Sequence, residues 1–173
     1  AGLIAQQLGC SATEIQAIEL AASLHDIGKL TLPLSLLLND DALDAAEYAH
    51  IKTHTQAGYD LLLRWQTPLG DVAAIAARDH HERLDGSGYA GRTQQQISPF
   101  AQLVAVADVF DAMTVSRSYQ PARSISAALR EMAHLPLNPI FNCPKIDDGF
   151  YFAWGNILTS IFFRLLVQFF NVK

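Results

Sequence analysis

Apolar residues recur along this chain at helical spacing, and polar clusters interrupt that spacing at recognisable stops. Leu3, Ile4 and Leu8 end one apolar stripe, closed by Gly9 as a helix C-cap. Ser11 followed three residues later by Glu14 is a capping box, so a second helix is expected to run to about Gly28 and to finish on His25-Asp26-Ile27-Gly28-Lys29. Pro33 and the Asn39-Asp40-Asp41 cluster mark a loop. Ala42 to about Trp65 reads as the next helix, with a break expected near Lys52 to Gln56, beside His54. Gly70-Asp71 opens another, whose small apolar run Val72 to Ala77 leads into Asp79-His80-His81-Glu82 and then a glycine-rich loop from Asp85 to Gly91. Ser98 as N-cap with Pro99 at the first helical position starts the most apolar helix, Phe100 to Met113, and Ser124 caps the last, Ile125 to His134. No segment alternates with a period of two, so the expected class is all-α, a helical bundle.

Past His134 the pattern changes. Pro136, Pro139 and Pro144 punctuate a loop, and Gly149 to Phe170 is strongly apolar and aromatic, interrupted by Asn156, Arg164 and Gln168. That length would cross a bilayer, but the arginine within it and the lack of flanking basic clusters favour a buried or partner-covered helix over a membrane span. The chain is therefore divided into a domain at 1–134 and a tail at 135–173. With 173 residues, half of them hydrophobic, it has the material for a single core. It opens inside an apolar stripe without a Met or a signal sequence, and is expected to be an N-terminally truncated piece of a longer protein.

A net charge of −5 offers no basic stripe to follow a nucleic-acid backbone, which excludes long DNA or RNA as a partner and means that a small anionic substrate would need metal ions. Cys10 and Cys143 lie far apart with no Cys-x-x-Cys spacing, arguing against a disulfide framework and a thiolate zinc site and for a cytoplasmic location.

Candidate chemistry gathers at the element ends. Adjacent residues on a helix point about 100° apart, so His25-Asp26 and His80-His81 can each supply two ligands most readily where a helix stops and the chain turns. Imidazole and carboxylate suit borderline and hard divalent metals. Paired ligands favour two metals over one, with Asp26 the best placed bridge. Asp108 and Asp111 within the most apolar helix would be costly to bury without a cation or hydrogen bonds. Such a centre suits phosphodiester hydrolysis, and Lys29 and Arg117 are the natural cations for the phosphate. Simpler roles compete: helix-end histidines stabilised by the dipole, or Asp108 paired with an arginine. His50 precedes His54 at helical spacing without the accompanying Glu of a metalloprotease helix, and it is assigned a structural or solvated role, as is His134. Asp111 and Thr114 are expected to support the ligands, and Glu82 to orient His81 or face water.

Four ordered segments resemble the HD-GYP family of the HD phosphohydrolase superfamily. They are His25-Asp26-Ile27-Gly28-Lys29, His54 with Gly58, His80-His81-Glu82-Arg83-Leu84-Asp85-Gly86-Ser87-Gly88-Tyr89, and Val106-Ala107-Asp108-Val109-Phe110-Asp111-Ala112-Met113-Thr114 followed by Arg117 and Tyr119. The resemblance spans about Ala1 to His134. It implies an HD-domain helical bundle and two or three divalent metals, iron or manganese, held by His25, Asp26, His54, His80, His81 and Asp108. The implied reaction is hydrolysis of cyclic di-GMP to linear pGpG or GMP. It further implies Asp26, Lys29 and Arg117 as catalytic residues, and Lys29, Tyr89 and Arg117 as contacts to substrate. An upstream sensor or receiver domain, a diguanylate cyclase partner, a homodimer and a place at the cytoplasmic face of the inner membrane are compatible with it.

Three departures keep other readings open. A metal-binding His that usually precedes the first segment would lie before Ala1. The signature Gly-Tyr-Pro reads Gly88-Tyr89-Ala90, in a loop one residue shorter than usual. The family's closing Phe-Asp-Pro stretch has a faint echo in Phe141-Asn142-Cys143-Pro144, so the C-terminal apolar helix is divergent. The alternatives are a catalytically degenerate module that binds nucleotide or a signalling partner, and an HD phosphohydrolase acting on another nucleotide.

Overall fold

The computed structural model describes residues 1–116 and 121–137. Arg117, Tyr119 and the apolar stretch from Gly149 to Phe170 lie outside the described residues. The elements are α1 (Gly2–Gln7), α2 (Ala12–Leu24), a 3₁₀ turn (Ile27–Thr31), α3 (Leu34–Leu37), α4 (Ala45–Leu63), α5 (Pro68–Asp79), α6 (Pro99–Thr114) and α7 (Ile125–Met132). The fold is all-α, as the absence of period-two alternation predicts.

The helix starts follow the capping chemistry. Ser11 and Glu14 exchange the reciprocal bonds of a capping box at α2, and Ser98 caps α6 with Pro99 in its first turn. Three expectations need correction. Helix α4 begins at Ala45, because Asp44 accepts from the amides of Ala46 and Glu47 while Glu47 bonds back to the Asp44 amide. It also runs without a break through Lys52 to Gln56, where the hydroxyls of Thr53 and Thr55 donate to the carbonyls of His50 and Lys52 and so stay satisfied inside the helix. Helix α2 stops at Leu24 rather than near Gly28, since the backbone at Asp26 leaves the helical region and continues as the 3₁₀ turn.

Helix α5 is the hub. Its Ala73, Ala74, Ala76 and Ala77 are fully buried and pack with Ala21 of α2, Leu62 of α4 and Val104 of α6. Methyl-sized side chains let three neighbours come close to one axis. A second cluster, Ala5, Ile18 and Leu103, ties α1 to α2 and α6.

The closest approach is glycine against helix backbone. A Cβ built on Gly28 would fall on the His54 carbonyl oxygen, and one on Gly58 would meet Ala77 Cβ at 3.2 Å and Gly28 N at 3.3 Å. The turn after His25-Asp26 therefore lies directly on α4 at His54. Gly28→Ala is expected to cost about 1–3 kcal/mol through overpacking. Thermal unfolding checks this, and an unchanged melting temperature would show that the contact is dispensable.

Candidate metal centre

Each candidate ligand is delivered by a different local device. His25 caps the end of α2, and Asp26 follows it at φ −99°, ψ 7°, so the two side chains diverge into one space. His54 projects from the middle of α4, buried, because Gly28 leaves room for the turn above it. His80 caps the end of α5, and His81 lies just beyond. Asp108 comes from the middle of α6.

The imidazoles are oriented by main-chain carbonyls. His25 Nδ1 donates to the Ala22 carbonyl at 2.7 Å, His54 Nδ1 to Ile51 at 2.6 Å and His80 Nδ1 to Ala77 at 2.9 Å. A carbonyl can only accept, so each ring carries its proton on Nδ1 and aims Nε2 inward. The Nε2 atoms of His54 and His80 face each other at 3.5 Å. Asp26 Oδ1 lies 3.3 Å from the first and 3.8 Å from the second, buried and without a hydrogen-bond partner. Converging lone pairs around an orphaned carboxylate oxygen fit a cation, which would turn mutual repulsion into ligation. With His81, one donor atom from each of these four residues lies within 4.8 Å of the others.

Asp26 also looks the other way. Its Oδ2 is 3.4 Å from His25 Nε2, which in turn is 3.6 Å from Asp108 Oδ1. His25 and Asp108 thus stand outside the tight group of four and are joined to it through the second oxygen of one carboxylate. Lys29 Nζ bonds that same Oδ2 at 2.6 Å. A groove of about 480 Å³ opens past Asp26 and Lys29, walled by Ile27, Leu30, Leu32 and Leu34.

Burial and neighbouring charge split the histidines. Burial opposes the charged form of His25, but hydrogen bonds to Asp108 and Asp26 outweigh it and push its pKa up to about 10. His80 and His81 lack such a partner. Burial, reinforced by neighbouring imidazoles, lowers them to about 4 and about 3. Burial would raise Asp26 and Asp108, yet both fall below the usual carboxylate range: His25, His54 and Lys29 hold Asp26 down, and His25 holds Asp108.

The glycine-rich loop is fastened to the same helix end. Glu82 neither orients His81 nor faces water: it is buried, and its two oxygens accept from the amides of Ala90 at 2.7 Å and Arg92 at 2.8 Å. A Cβ on Gly88 would strike the Glu82 backbone, so the loop can lie flat on it. Buried Asp79 takes a bidentate pair from Arg78 and an ion pair from Arg92 at 3.1 Å. Tyr89 is thereby held with its ring 4.4 Å from that of His81. Sequence reasoning missed the roles of Asp79, Glu82 and Arg92. The available signal was two carboxylates flanking the His80-His81 pair. It also missed Tyr48 and Lys52, whose only mark was helical spacing one turn apart. His50, Asp111 and His134 are exposed. Thr114 bonds the Phe110 carbonyl within α6.

Residues 1–137 match the HD domain family. The chain is 47% identical over 130 residues to the cyclic di-GMP phosphodiesterase response regulator RpfG of Xanthomonas campestris, covering 75% of this chain and 34% of that protein. It is 40% identical over 135 residues to a cyclic di-GMP phosphodiesterase of Thermotoga maritima, covering 78% and 37%. A 3′3′-cGAMP-specific phosphodiesterase, number 2 of Vibrio cholerae, is 40% identical over 118 residues, covering 68% and 23%. The chain thus spans about a third or less of these relatives' lengths. Among solved structures, Bd1817, an HD-GYP-type protein from Bdellovibrio bacteriovorus, has the same fold, with a TM-score of 0.61 and 24% identity over 75% of this chain and 41% of that one. The chain belongs to the HD domain family.

Proposed function

We propose that this chain carries the catalytic unit of a metal-dependent phosphodiesterase that hydrolyses cyclic di-GMP to linear pGpG, to GMP, or to both. The observation that carries the reading is the convergence of inward-facing imidazole nitrogens on the unpartnered Oδ1 of Asp26. The names of the Xanthomonas and Thermotoga relatives support the substrate.

In this reading His54, His80, His81 and Asp26 would hold one divalent cation, and His25 and Asp108 would join Asp26 in holding a second. Iron and manganese suit these donors. When bound, the cations supply the Lewis acidity that phosphodiester hydrolysis needs near neutral pH. The protein positions everything else. Asp26 fixes the spacing of the two halves. Lys29, which bonds Asp26 Oδ2, is assigned to donate to a non-bridging phosphate oxygen. Arg117, nine residues past Asp108 in the sequence, is assigned the same task. Tyr89 walls the site beside His81. The greater length of the relatives and the response-regulator title of one of them support a receiver or sensor domain ahead of this unit, in the cytoplasm or at the inner face of its membrane.

Two other readings have specific grounds. The Vibrio relative's name makes a mixed guanine-adenine cyclic dinucleotide the competing substrate. A non-hydrolysing module is motivated by Ala90, yet the Ala90 amide is bonded to Glu82 and Tyr89 still packs on His81, which favours turnover.

With Mn(II) or anaerobic Fe(II), the chain is expected to convert cyclic di-GMP to a linear product resolved by chromatography. His80→Ala is expected to lower turnover by about a hundredfold or more, because it removes a ligand rather than a support. Parental rates in that variant would move the chemistry elsewhere.

Metal uptake is also expected to depend on pH in one direction. With its pKa at about 10, His25 is protonated at neutral pH and must release that proton to ligate, whereas His80 at about 4 and His81 at about 3 are already neutral. Affinity for the second cation should therefore rise about tenfold per pH unit through the neutral range, with one proton released. Calorimetry in buffers of differing ionisation enthalpy measures that proton. Its persistence in His25→Ala would assign it to another group.

A further inference from the structure

Tyr48 and Lys52 stand one turn apart on α4, outside the ligand cluster but coupled to it through a chain of rings. Tyr89 packs on His81 at 4.4 Å, and Tyr48 meets Tyr89 edge to face at 6.1 Å with an interplanar angle of 85°. The Lys52 ammonium lies 4.5 Å from the centre of the Tyr48 ring and 5.1 Å from that of Tyr89. Among the described residues, no carboxylate forms an ion pair with it. Tyr48 is nevertheless 45% exposed, a large aromatic surface left open two ring contacts from His81. Tyr89, its partner ring, is carried by a loop that Glu82 and the Arg92–Asp79 pair fasten.

We propose that Tyr48, Lys52 and Tyr89 form a nucleobase subsite in which a guanine stacks on Tyr48, taking the place of the Lys52 ammonium over that ring and leaving the ammonium to turn to the base's acceptor edge. The proposal rests on the cyclic dinucleotide reading of the metal centre and deepens it. In such a substrate each base is one sugar away from a phosphate. Here the open ring of Tyr48 is one ring away from the ring that touches His81. Any base has a π-face for an aromatic side chain, so stacking supplies affinity without choosing among bases. The ammonium makes the choice. Guanine offers two acceptors, O6 and N7, on one edge, whereas adenine replaces the first with an amino donor that an ammonium repels. Lysine carries donors alone, so its preference has a fixed sign.

The test uses the Mn(II)-loaded chain with cyclic di-GMP, cyclic di-AMP and bis(p-nitrophenyl) phosphate as substrates. Binding of a non-hydrolysable phosphorothioate analogue of cyclic di-GMP, followed by calorimetry, gives a second readout. Tyr48→Ala is expected to raise KM for cyclic di-GMP, and Kd for the analogue, by about tenfold or more. The loss should be much smaller on bis(p-nitrophenyl) phosphate, which has no base to stack. Tyr48→Phe, which keeps the ring, should restore the parental constants. Lys52→Met should narrow the preference for guanine over adenine. Equal losses on all three substrates in Tyr48→Ala would overturn the proposal, as would equal losses on both cyclic dinucleotides in Lys52→Met, which would assign the ammonium to phosphate. If the parent binds the analogue through Tyr48 yet cleaves no cyclic dinucleotide, the catalytic reading falls and the subsite stands. If it neither binds nor cleaves one, both fall.

Discussion

The backbone of Gly28 rests on the backbone of α4 at His54, and the candidate site depends on that contact. Asp26 belongs to a turn and His54 to the middle of a helix, with 27 residues of chain between them in sequence. Only a position without a Cβ lets the turn settle onto the His54 carbonyl, and Gly58, one turn further along α4, clears the adjoining space for Gly28 and Ala77. Once the turn is seated, Asp26 Oδ1 arrives 3.3 Å from His54 Nε2. The alanine face of α5 then brings His80 to the same point, since larger side chains at Ala73, Ala76 or Ala77 would hold α5 away from α2 and α4. Packing of the smallest residues in the chain thus sets the spacing of its most polar ones.

That packing leaves an electrostatic imbalance that nearby cations offset. Two carboxylates, Asp26 and Asp108, stand partly buried beside imidazoles, and the charge is met by the proton on His25 and the ammonium of Lys29. Both counter-charges sit on the Oδ2 side of Asp26, while Oδ1 has none. The two oxygens of one side chain therefore differ: one is satisfied by groups that can leave, and the other waits for a ligand. Burial, reinforced by neighbouring imidazoles, keeps His80 neutral beside the orphaned oxygen, and its Nδ1 proton, like that of His54, is committed to a helix carbonyl. The cost of this arrangement is modest, since what is left unsatisfied is one carboxylate oxygen whose charge is met on its other side rather than an unpaired charge.

Much of this was legible in the sequence because capping and ligand chemistry are local. Ser11 with Glu14, and Ser98 with Pro99, announced their helices, and the all-α class followed from the lack of alternation. Reading His25-Asp26 and His80-His81 as pairs at helix ends also needed only the turn angle of a helix. The break expected in α4 is absent because the hydroxyls of Thr53 and Thr55 bond back into the helix, a satisfaction that their order in the sequence does not announce. The anchoring of the signature loop was not legible. Glu82 reaches amides eight and ten residues away, and Arg92 pairs with Asp79 across the loop. Neither partnership has a spacing rule. Tyr48 and Lys52 were invisible for the same reason: an exposed tyrosine and a half-buried lysine gain meaning only when a distant loop lays Tyr89 beside them.

The same loop explains why Ala90 in place of the signature proline need not unmake the site. Proline would restrict φ at that position and remove its amide proton. Alanine gives up the restriction but keeps the N–H, and that N–H is one of the two donors satisfying the buried Glu82 carboxylate. Hydrogen bonds to a buried charged acceptor are worth about 1.5–3 kcal/mol, comparable to or larger than the entropy a single proline withholds from the unfolded chain. A loop held by two amides on one carboxylate is also fixed in direction, since both bonds stretch together if it lifts. What proline would supply through the unfolded state, Glu82 supplies in the folded one. The consequence is geometric: Tyr89 stays against His81, and the wall it shares with Tyr48 stays on the edge of the metal centre.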